Sequence, residues 1–428
     1  MKGKLRSMPF TSPSRWRDVH LAAAARGLSA CGDFLAATAL ALHLQASGAG
    51  GMAVSGLLLA SALPLVLLAP VAGRVADRVD SRLLLVTTGL GQAAVCAVLA
   101  YTEQPVAIIA LVALVAAGLA VSSPTLTALV PDMVGRADLP KATAFMQTAN
   151  AVGVLAGPAL AGVLVGQFGV RVPLLLDAAS YLGFAVAALL IRTRRGGRVV
   201  ADTAGPADTH DLPAWSVRAD RLLLALLVAV GATVAGTAAV NVADVFFVRE
   251  TLGASETAYG LVGAVWTSGL LAGAWVSTRL MRSVVDGTVA LGIVALLAGL
   301  SVALLASAAV PTVWWLYPIW IFGGMANGGL NVGVNVLIPR RVPAAVRGRA
   351  LGILVGVVNA ANVCGFLLGG VLLERYPARP VIAGAGLAGL VAVAATVVPV
   401  LRAVRRETGA ERAAGSLVPS EPAAQARV

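Results

Sequence analysis

Long apolar segments alternate with short polar ones along most of this chain. A helix that crosses a membrane needs about 20 mainly apolar residues, because it rises about 1.5 Å per residue and the hydrocarbon core is about 30 Å thick. Such segments lie at 20–45, 53–72, 83–101, 106–128, 141–165, 173–191, 221–245, 257–278, 287–308, 312–336, 350–373 and 380–401. The pattern predicts an all-α integral membrane protein with twelve transmembrane helices.

The composition agrees with a lipid environment. Hydrophobic residues make up 58% of the chain and the mean hydropathy is +0.88, which is more apolar surface than a soluble core can bury. The net charge is +12, but the basic residues are spread over short segments, so no nucleic-acid partner is expected. Cys31, Cys96 and Cys364 lie singly in apolar segments. This spacing predicts packing roles and neither a disulfide nor a metal site.

The basic residues favour one side of the predicted membrane. Most of the 32 lysines and arginines lie in segments on one side of the membrane. The exceptions are Arg26, which lies within span 1, and four residues of the loops on the other side, Arg171, Arg249, Arg375 and Arg379. Because cytoplasmic loops keep an excess of lysine and arginine, the distribution predicts a cytoplasmic-membrane protein with both termini in the cytoplasm.

The sequence also repeats itself at a spacing of 208 residues. Gly157 corresponds to Gly365, and Gly162 corresponds to Gly370. Two parallel six-helix repeats are typical of transporters that bind substrate between the repeats. The predicted segments are an N-terminal stretch (1–19), a first bundle (20–191), a linker (192–220), a second bundle (221–401) and a disordered cytoplasmic tail (402–428).

Charge is concentrated in the segment GRVADRVDSR, between spans 2 and 3. Its Gly73, Asp77, Arg78 and Arg82 resemble the signature of this loop in the major facilitator superfamily, although Asp80 stands where that family usually has glycine. The resemblance implies the major facilitator fold and a loop that latches the two halves in one access state. The alternative is a hairpin that its arginines hold on the cytoplasmic side.

Span 5 carries a second family feature, formed by Gly153, Gly157, Pro158 and Gly162. Glycines at this spacing allow close helix packing, and proline leaves one carbonyl without its donor. The pattern resembles the glycine-proline helix of the family's antiporters. With VPDMVGRADLPKA at 130–142 and RGRALG at 347–352, the chain is similar to the drug-efflux and siderophore-export branch that includes macrolide and enterobactin exporters.

The energy source is predicted to be an ion gradient. A phosphate-binding loop needs lysine after a glycine-rich turn, and Lys2, Lys4 and Lys141 have no such context. Asp33 lies midway along span 1, where a carboxyl group can exchange protons. The alternative for Asp33 is a structural hydrogen bond. Asp177 lies near the outer end of span 6, where an interfacial position is favoured.

Polar residues on four spans predict the wall of a central cavity. Asn327, Asn331 and Asn335 recur every four residues on span 10 and form one stripe. The resemblance implies that spans 1, 4, 7 and 10 line the cavity. The candidates are Arg26, Ser123, Thr127, Asn241, Asp244, Asn327, Asn331 and Asn335. Arg26 could instead reach the inner interface, Asp244 also favours an interfacial position, and the asparagines could join helices.

The sequence therefore predicts a monomeric secondary transporter, without cofactor, that exports a small amphipathic compound in exchange for protons. Uptake of a small nutrient is the alternative within transport. A membrane receptor or a membrane enzyme is less favoured, because the sequence shows no clustered histidines, cysteines or paired carboxylates for catalysis.

Overall fold

The structure is a computed structural model that describes residues 14–196, 220–281 and 286–416. Its α-helices are α1 (Trp16–Ala46), α2 (Gly50–Leu67), α3 (Ala69–Arg78), α4 (Ser81–Leu99), α5 (Pro105–Met133), α6 (Leu139–Phe168), α7 (Arg171–Leu190), α8 (Arg221–Phe246), α9 (Glu256–Leu280), α10 (Asp286–Ala309), α11 (Val313–Arg341), α12 (Arg347–Leu373) and α13 (Ala378–Ser416). A π-helical turn (Phe247–Thr251) continues α8, and a 3₁₀ turn (Ala344–Val346) precedes α12. Among the described residues, 12 helices are long and apolar enough to cross a membrane. The predicted spans are confirmed.

The second span is shorter than the apolar pattern indicates. α2 ends at Leu67, and a separate helix of 10 residues, α3, follows. Pro70 lies in the first turn of α3, where its missing N–H breaks no intrahelical hydrogen bond and its ring prevents α2 from continuing regularly. The charged segment that was predicted as a loop is therefore helical as far as Arg78.

The helices form two halves, α1–α7 and α8–α13, as the repeat predicts. α6 packs on α1 in the first half, and α12 packs on α8 in the second. A Cβ atom added at Gly153 would lie 2.2 Å from the Gly27 carbonyl oxygen, and one added at Gly365 would lie 2.2 Å from that of Ala235. Glycine lets the two backbones approach closely in both pairs.

Four segments of the predicted domain plan fall partly outside the described residues, at 1–13, 197–219, 282–285 and 417–428. The linker is described only at its ends, because 197–219 lie outside the described residues, as do 1–13 of the N-terminal stretch. α13 runs to Ser416, beyond the predicted end of the last span at 401.

The helix ends define two sides of the molecule. We name the linker side after residues 191–196 and 220, where α7 ends and α8 begins. The opposite side is named the distal side. Its turns are residues 47–49, 100–104, 169–170, 252–255, 310–312 and 374–377.

Contacts on the distal side join the two halves. α2 packs on α12 and α6 packs on α9. The fully buried Ser55 hydroxyl donates to the Phe366 carbonyl oxygen at 2.7 Å, and the Gln45 amide donates to the Glu250 carboxylate at 3.0 Å. A Cβ atom added at Gly260 would lie 2.3 Å from the carbonyl oxygen of Pro158. These contacts close the distal side.

Candidate functional site

Asp33 lies in the middle of α1, which is the first helix of the first half. It is 13 residues from the distal end of that helix, or about 20 Å along the axis. The hydroxyl of Tyr181, on α7, donates to the Asp33 Oδ1 atom at 2.5 Å. Tyr181 is 1% exposed, whereas Asp33 is partly exposed. One oxygen of the Asp33 carboxyl group is therefore held by the bundle, while the residue as a whole keeps some exposed surface.

Arg26 lies seven residues before Asp33, which places it two turns closer to the linker side on the same helix face. Its side chain is partly exposed and interacts electrostatically with Asp33. The predicted cavity cation and the predicted proton carrier thus share one face of α1.

The predicted interfacial position of Asp177 is wrong, because the structure buries this residue inside the bundle. It lies about 9 Å into α7 from Arg171, and it is 2% exposed. The thiol of Cys96, on α4, lies 3.3 Å from Oδ2, and the Ser180 hydroxyl lies 3.3 Å from Oδ1. The side chain points between α1 and α4 rather than toward the membrane surface, so distance from the helix end alone gave the wrong position.

A signal for this cluster was present in the sequence. The segment DAASY places Asp177, Ser180 and Tyr181 three and four residues apart, and such residues share one face of a helix. Polar residues on one face of an otherwise apolar span indicate a polar partner inside the bundle. Cys96 gave no comparable signal, because a single cysteine is usual in an apolar core.

Asp244 is the candidate on α8 and is also buried rather than interfacial. It is 7% exposed, and its Oδ1 atom has no hydrogen-bond partner among the described residues. It lies two residues before the distal end of α8 and interacts electrostatically with Tyr259 of α9. The structure therefore places it in the closed distal region, three residues beyond Asn241, which is exposed.

The asparagine stripe on α11 lies on an exposed face. The Asn331 amide donates to the backbone carbonyl of Asn327 at 2.9 Å, and the Asn335 amide donates to that of Asn331 at 2.8 Å. Asn331 and Asn335 are exposed, and Asn327 is partly exposed. On another face of α11, Gly324 and Gly328 pack closely on α9. Amides on lipid-facing surface are costly, which makes this exposed face the candidate wall of a water-filled space.

The residues of α5 that correspond to Asn331 and Asn335 in the repeat carry hydroxyl groups, and they also lie on exposed or partly exposed surface. Thr127 is exposed and Ser123 is partly exposed. The Thr127 hydroxyl donates to the Ser123 carbonyl oxygen at 2.9 Å, so its hydrogen goes to its own helix and its oxygen can still accept. The asparagines and Thr127 thus offer uncharged polar atoms without joining helices.

The charged segment 73–82 contacts its own half. Asp77 lies 3.8 Å from the Arg195 guanidinium, which also donates to the Ala128 carbonyl oxygen at 3.0 Å. Arg82 donates to the Ile191 carbonyl oxygen at 2.6 Å. Gly73 and Arg78 are exposed. In this conformation Asp77 and Arg82 therefore contact their own half. The contact between the two halves that the family resemblance implies is not formed at these two residues.

The glycine-proline helix, α6, contacts both halves. A Cβ atom at Gly157 would lie 2.8 Å from the Cys31 carbonyl oxygen on α1, and one at Gly162 would lie 2.6 Å from the Glu256 carbonyl oxygen on α9. Gly153 also faces α1, and Pro158 faces α9. We name the contacts that close the distal side the distal seal. α6 therefore contacts both α1, which carries Asp33, and the distal seal.

Comparisons with known proteins give the family. The chain matches the Major Facilitator Superfamily over residues 22–297 and 226–425. The chain belongs to this superfamily. It is a multi-pass membrane transporter with the major facilitator fold, as the loop and helix motifs implied. No curated protein sequence matches this chain.

The solved structures that are similar to this chain are those of transporters named for different compounds. A variant of the nucleoside transporter NupG has a TM-score of 0.74 and 13% identity, covering 89% of this chain and 99% of that one. A bacterial homologue of the iron transporter ferroportin, in an inward-facing state, has a TM-score of 0.70 and 15% identity, covering 92% and 100%. The peptide transporter POT in complex with sulfate gives 0.69 and 15%, covering 93% and 96%. These likenesses show the fold alone.

Proposed function

We propose that this transporter exports a small amphipathic compound across the cytoplasmic membrane in exchange for protons. The observation that carries the proposal is the position of Asp33, midway along α1 and partly exposed, with one oxygen bound by buried Tyr181. A carboxyl group in this position can bind a proton and release it to water without leaving the bundle.

The proposed access cycle starts from the closed distal side. We assign the linker side to the cytoplasm, because it carries most of the basic residues. In this assignment Asp33 and the exposed face of Asn331 and Asn335 are reached from the cytoplasm. Opening to the outside requires that the contacts of Ser55 and Gly260 separate and that new contacts form on the linker side. Asp77 then leaves Arg195 and binds the second half, as the family latch implies.

The proposed substrate follows from the chemistry of the cavity faces. α11 and α5 present amide and hydroxyl groups beside apolar residues, and α1 presents Arg26 and Asp33. An amphipathic compound can place its apolar part on the helices and its polar part on these groups. The proposal treats the transporter as a monomer, since both halves of the site lie in one chain.

Export rather than uptake is favoured by the resemblance of α6 to the antiporter helix. The direction is measured in proteoliposomes that contain the purified transporter and an imposed proton gradient. In exchange, a proton gradient directed to one side moves substrate to the other side. Movement of substrate with the protons would instead identify an uptake permease.

Orientation is tested by labelling single cysteines in cells. Gln104 is exposed on the distal side, and Ala137 is exposed on the linker side. In a background where exposed Cys364 is replaced by serine, Gln104→Cys should react with an impermeant maleimide from outside, and Ala137→Cys should react only after the cells are opened. The reverse pattern would place both termini outside.

The coupling assignment is tested with Asp33→Asn and Asp33→Glu. Asparagine keeps the volume but holds no proton, so this variant should bind and equilibrate substrate without concentrating it. Glutamate keeps a proton-binding group displaced by about one methylene, so it should retain part of the driven transport. If Asp33→Asn concentrates substrate as well as the parent does, proton coupling at Asp33 is rejected.

A further inference from the structure

Two carboxyl groups lie at one corner between α1 and α7. Tyr181, which donates to Asp33, is one helical turn beyond Asp177 on α7. Gly32 precedes Asp33, and a Cβ atom added at Gly32 would lie 2.2 Å from the Asp177 Oδ1 atom. Only glycine at position 32 allows the Asp177 carboxyl group to rest on the α1 backbone next to Asp33.

Asp177 lacks the donors that a buried carboxylate needs. The structure contains a matched case in Asp18, which is also 2% exposed. Asp18 accepts hydrogen bonds from the backbone amides of Arg192 and Thr193, at 3.1 and 2.9 Å, and from the Thr193 hydroxyl at 2.7 Å. Amide donors at this distance suit a carboxylate. Within the described part of the chain, Asp177 accepts only from a thiol and a hydroxyl, both at 3.3 Å, and these suit a neutral carboxylic acid better.

Among the residues that the structure describes, the groups around Asp177 supply no compensating positive charge. Those facing it are Asp33 and Cys31 on α1, Cys96 on α4, and Ser180 and Tyr181 on α7. Arg26, the charged neighbour on α1, acts on Asp33. Two ionised carboxylates in one buried corner repel each other, so the proton state of one depends on the other.

We propose that Asp177 is a second proton-binding group, which holds its proton at neutral pH while Asp33 exchanges one. This inference rests on the proposed coupling at Asp33. With Asp177 neutral, Asp33 can ionise toward the cytoplasm and take up a proton again without a second negative charge beside it. When alkaline solution removes the Asp177 proton, the paired charges stop the exchange. Asp177 therefore sets the alkaline limit of driven transport.

Infrared difference spectroscopy tests the proton on Asp177 without any substrate. The purified full-length transporter is titrated from acid to alkaline pH, and the carbonyl band of protonated carboxylic acids is followed. The parent should keep such a band at neutral pH. Asp177→Asn should remove one component of this band, Asp33→Asn should remove a different component that disappears at lower pH, and the matched control Asp18→Asn should remove neither.

Cys96→Ser gives a second variant with the opposite effect. A serine hydroxyl donates to a carboxylate more strongly than a thiol does, so the Asp177 band should disappear about one pH unit lower. In proteoliposomes, Asp177→Asn should keep driven transport and extend it to higher pH by about one unit or more, whereas Cys96→Ser should narrow the range. Absence of an acid carbonyl band from the parent at neutral pH, or retention of the whole band in Asp177→Asn, would overturn the proposal.

These outcomes separate the two levels of inference. If Asp33→Asn still drives transport, coupling at Asp33 is wrong even where the Asp177 band is present. If Asp33→Asn loses driven transport and the Asp177 band is missing, only the second proton site is wrong. A uniform loss of transport in Asp177→Asn with an unchanged pH profile would assign Asp177 a packing role.

Discussion

The two halves of the transporter share a backbone plan and differ in chemistry at corresponding places. In the first half, Asp33, Cys96, Asp177 and Tyr181 form a buried polar corner around α1. The residues 208 positions later are Asn241, Leu304, Ala385 and Gly389. The second half therefore contains no carboxyl pair at this corner. The repeat sets helix packing, and proton chemistry is added to one half only.

Packing contacts, in contrast, are present in both halves. Gly157 packs on α1 and Gly365 packs on α8, while Gly162 faces α9 and Gly370 faces Ser55 of α2. Glycine at each of these positions serves backbone approach, which the fold requires wherever the repeat recurs. Proton exchange requires one titrating site, so the second half is free to keep an amide at Asn241.

The largest expected effect comes from an attempt to move the carboxyl group between halves. Asn241→Asp in the Asp33→Asn background should not restore driven transport, because position 389 has no hydroxyl to orient the new carboxyl group. Both the single and the double variant should accumulate at least about tenfold less substrate than the parent, which corresponds to about 1.4 kcal/mol. Accumulation is measured in proteoliposomes at matched protein content.

The control for this comparison is Asn241→Asp in the parent. It should insert and bind substrate, because Asn241 is exposed and its environment tolerates a solvated charge. Recovery of transport in the double variant would mean that the two halves are chemically equivalent and that Tyr181 is dispensable.

The sequence predicted the fold more completely than the site. Twelve spans, the repeat and the packing glycines follow from apolar length and small residues, which are local properties of the chain. Asp33 could be singled out because it is a charge inside a span. Asp177 could not be placed, since its burial depends on how α7 turns relative to α1 and α4. The role of Gly32 could not be predicted, because the requirement for a residue without a side chain follows from the nearby Asp177 carboxyl group, which only the structure shows.

The distal seal provides the next test of equivalence. Gly260→Val should displace Pro158, whose carbonyl oxygen lies 2.3 Å from the added Cβ position, and Gly370→Val should displace Ser55, whose Cβ atom lies 2.7 Å away. Both variants should disfavour the closed distal side by about 1–3 kcal/mol, as overpacking does. The measurement is labelling of a distal cysteine, at exposed Gln104→Cys as a constant reference and at Ala161→Cys, a fully buried position of α6 beside the seal.

Gly91→Val is the matched control for both seal variants, because nothing lies within 4 Å of its added Cβ atom. Labelling at buried Ala161→Cys should rise in the two seal variants and stay at the parent level in the control. If only one seal variant raises the labelling, the two contacts do not contribute equally to the closed distal side. The expectation that the two contacts are equivalent is then wrong.

A smaller effect is expected from one hydrogen bond in the seal. Ser55→Ala removes the hydrogen bond that the Ser55 hydroxyl donates to the Phe366 carbonyl oxygen of α12, which should cost about 1 kcal/mol of the closed distal state. Ser61→Ala is the control, since the Ser61 hydroxyl donates to Leu58 of its own helix. Distal cysteine labelling should increase about fivefold in the first variant. An equal increase in the control would mean that the hydroxyl acts through α2 alone.

The smallest expected effect distinguishes the two cavity walls. Asn331→Ala removes an exposed amide from α11, and Thr127→Ala removes an exposed hydroxyl from α5, whose hydrogen already goes to Ser123. Each exposed group contributes about 0.5–1 kcal/mol when it binds substrate, so apparent affinity should fall about two- to fivefold, more for the asparagine. Thr87→Ala is matched to Thr127→Ala, because its exposed hydroxyl also donates to the carbonyl four residues earlier. Substrate affinity measured by concentration-dependent transport should be unchanged in Thr87→Ala, and an equal fall there would remove Thr127 from the cavity wall.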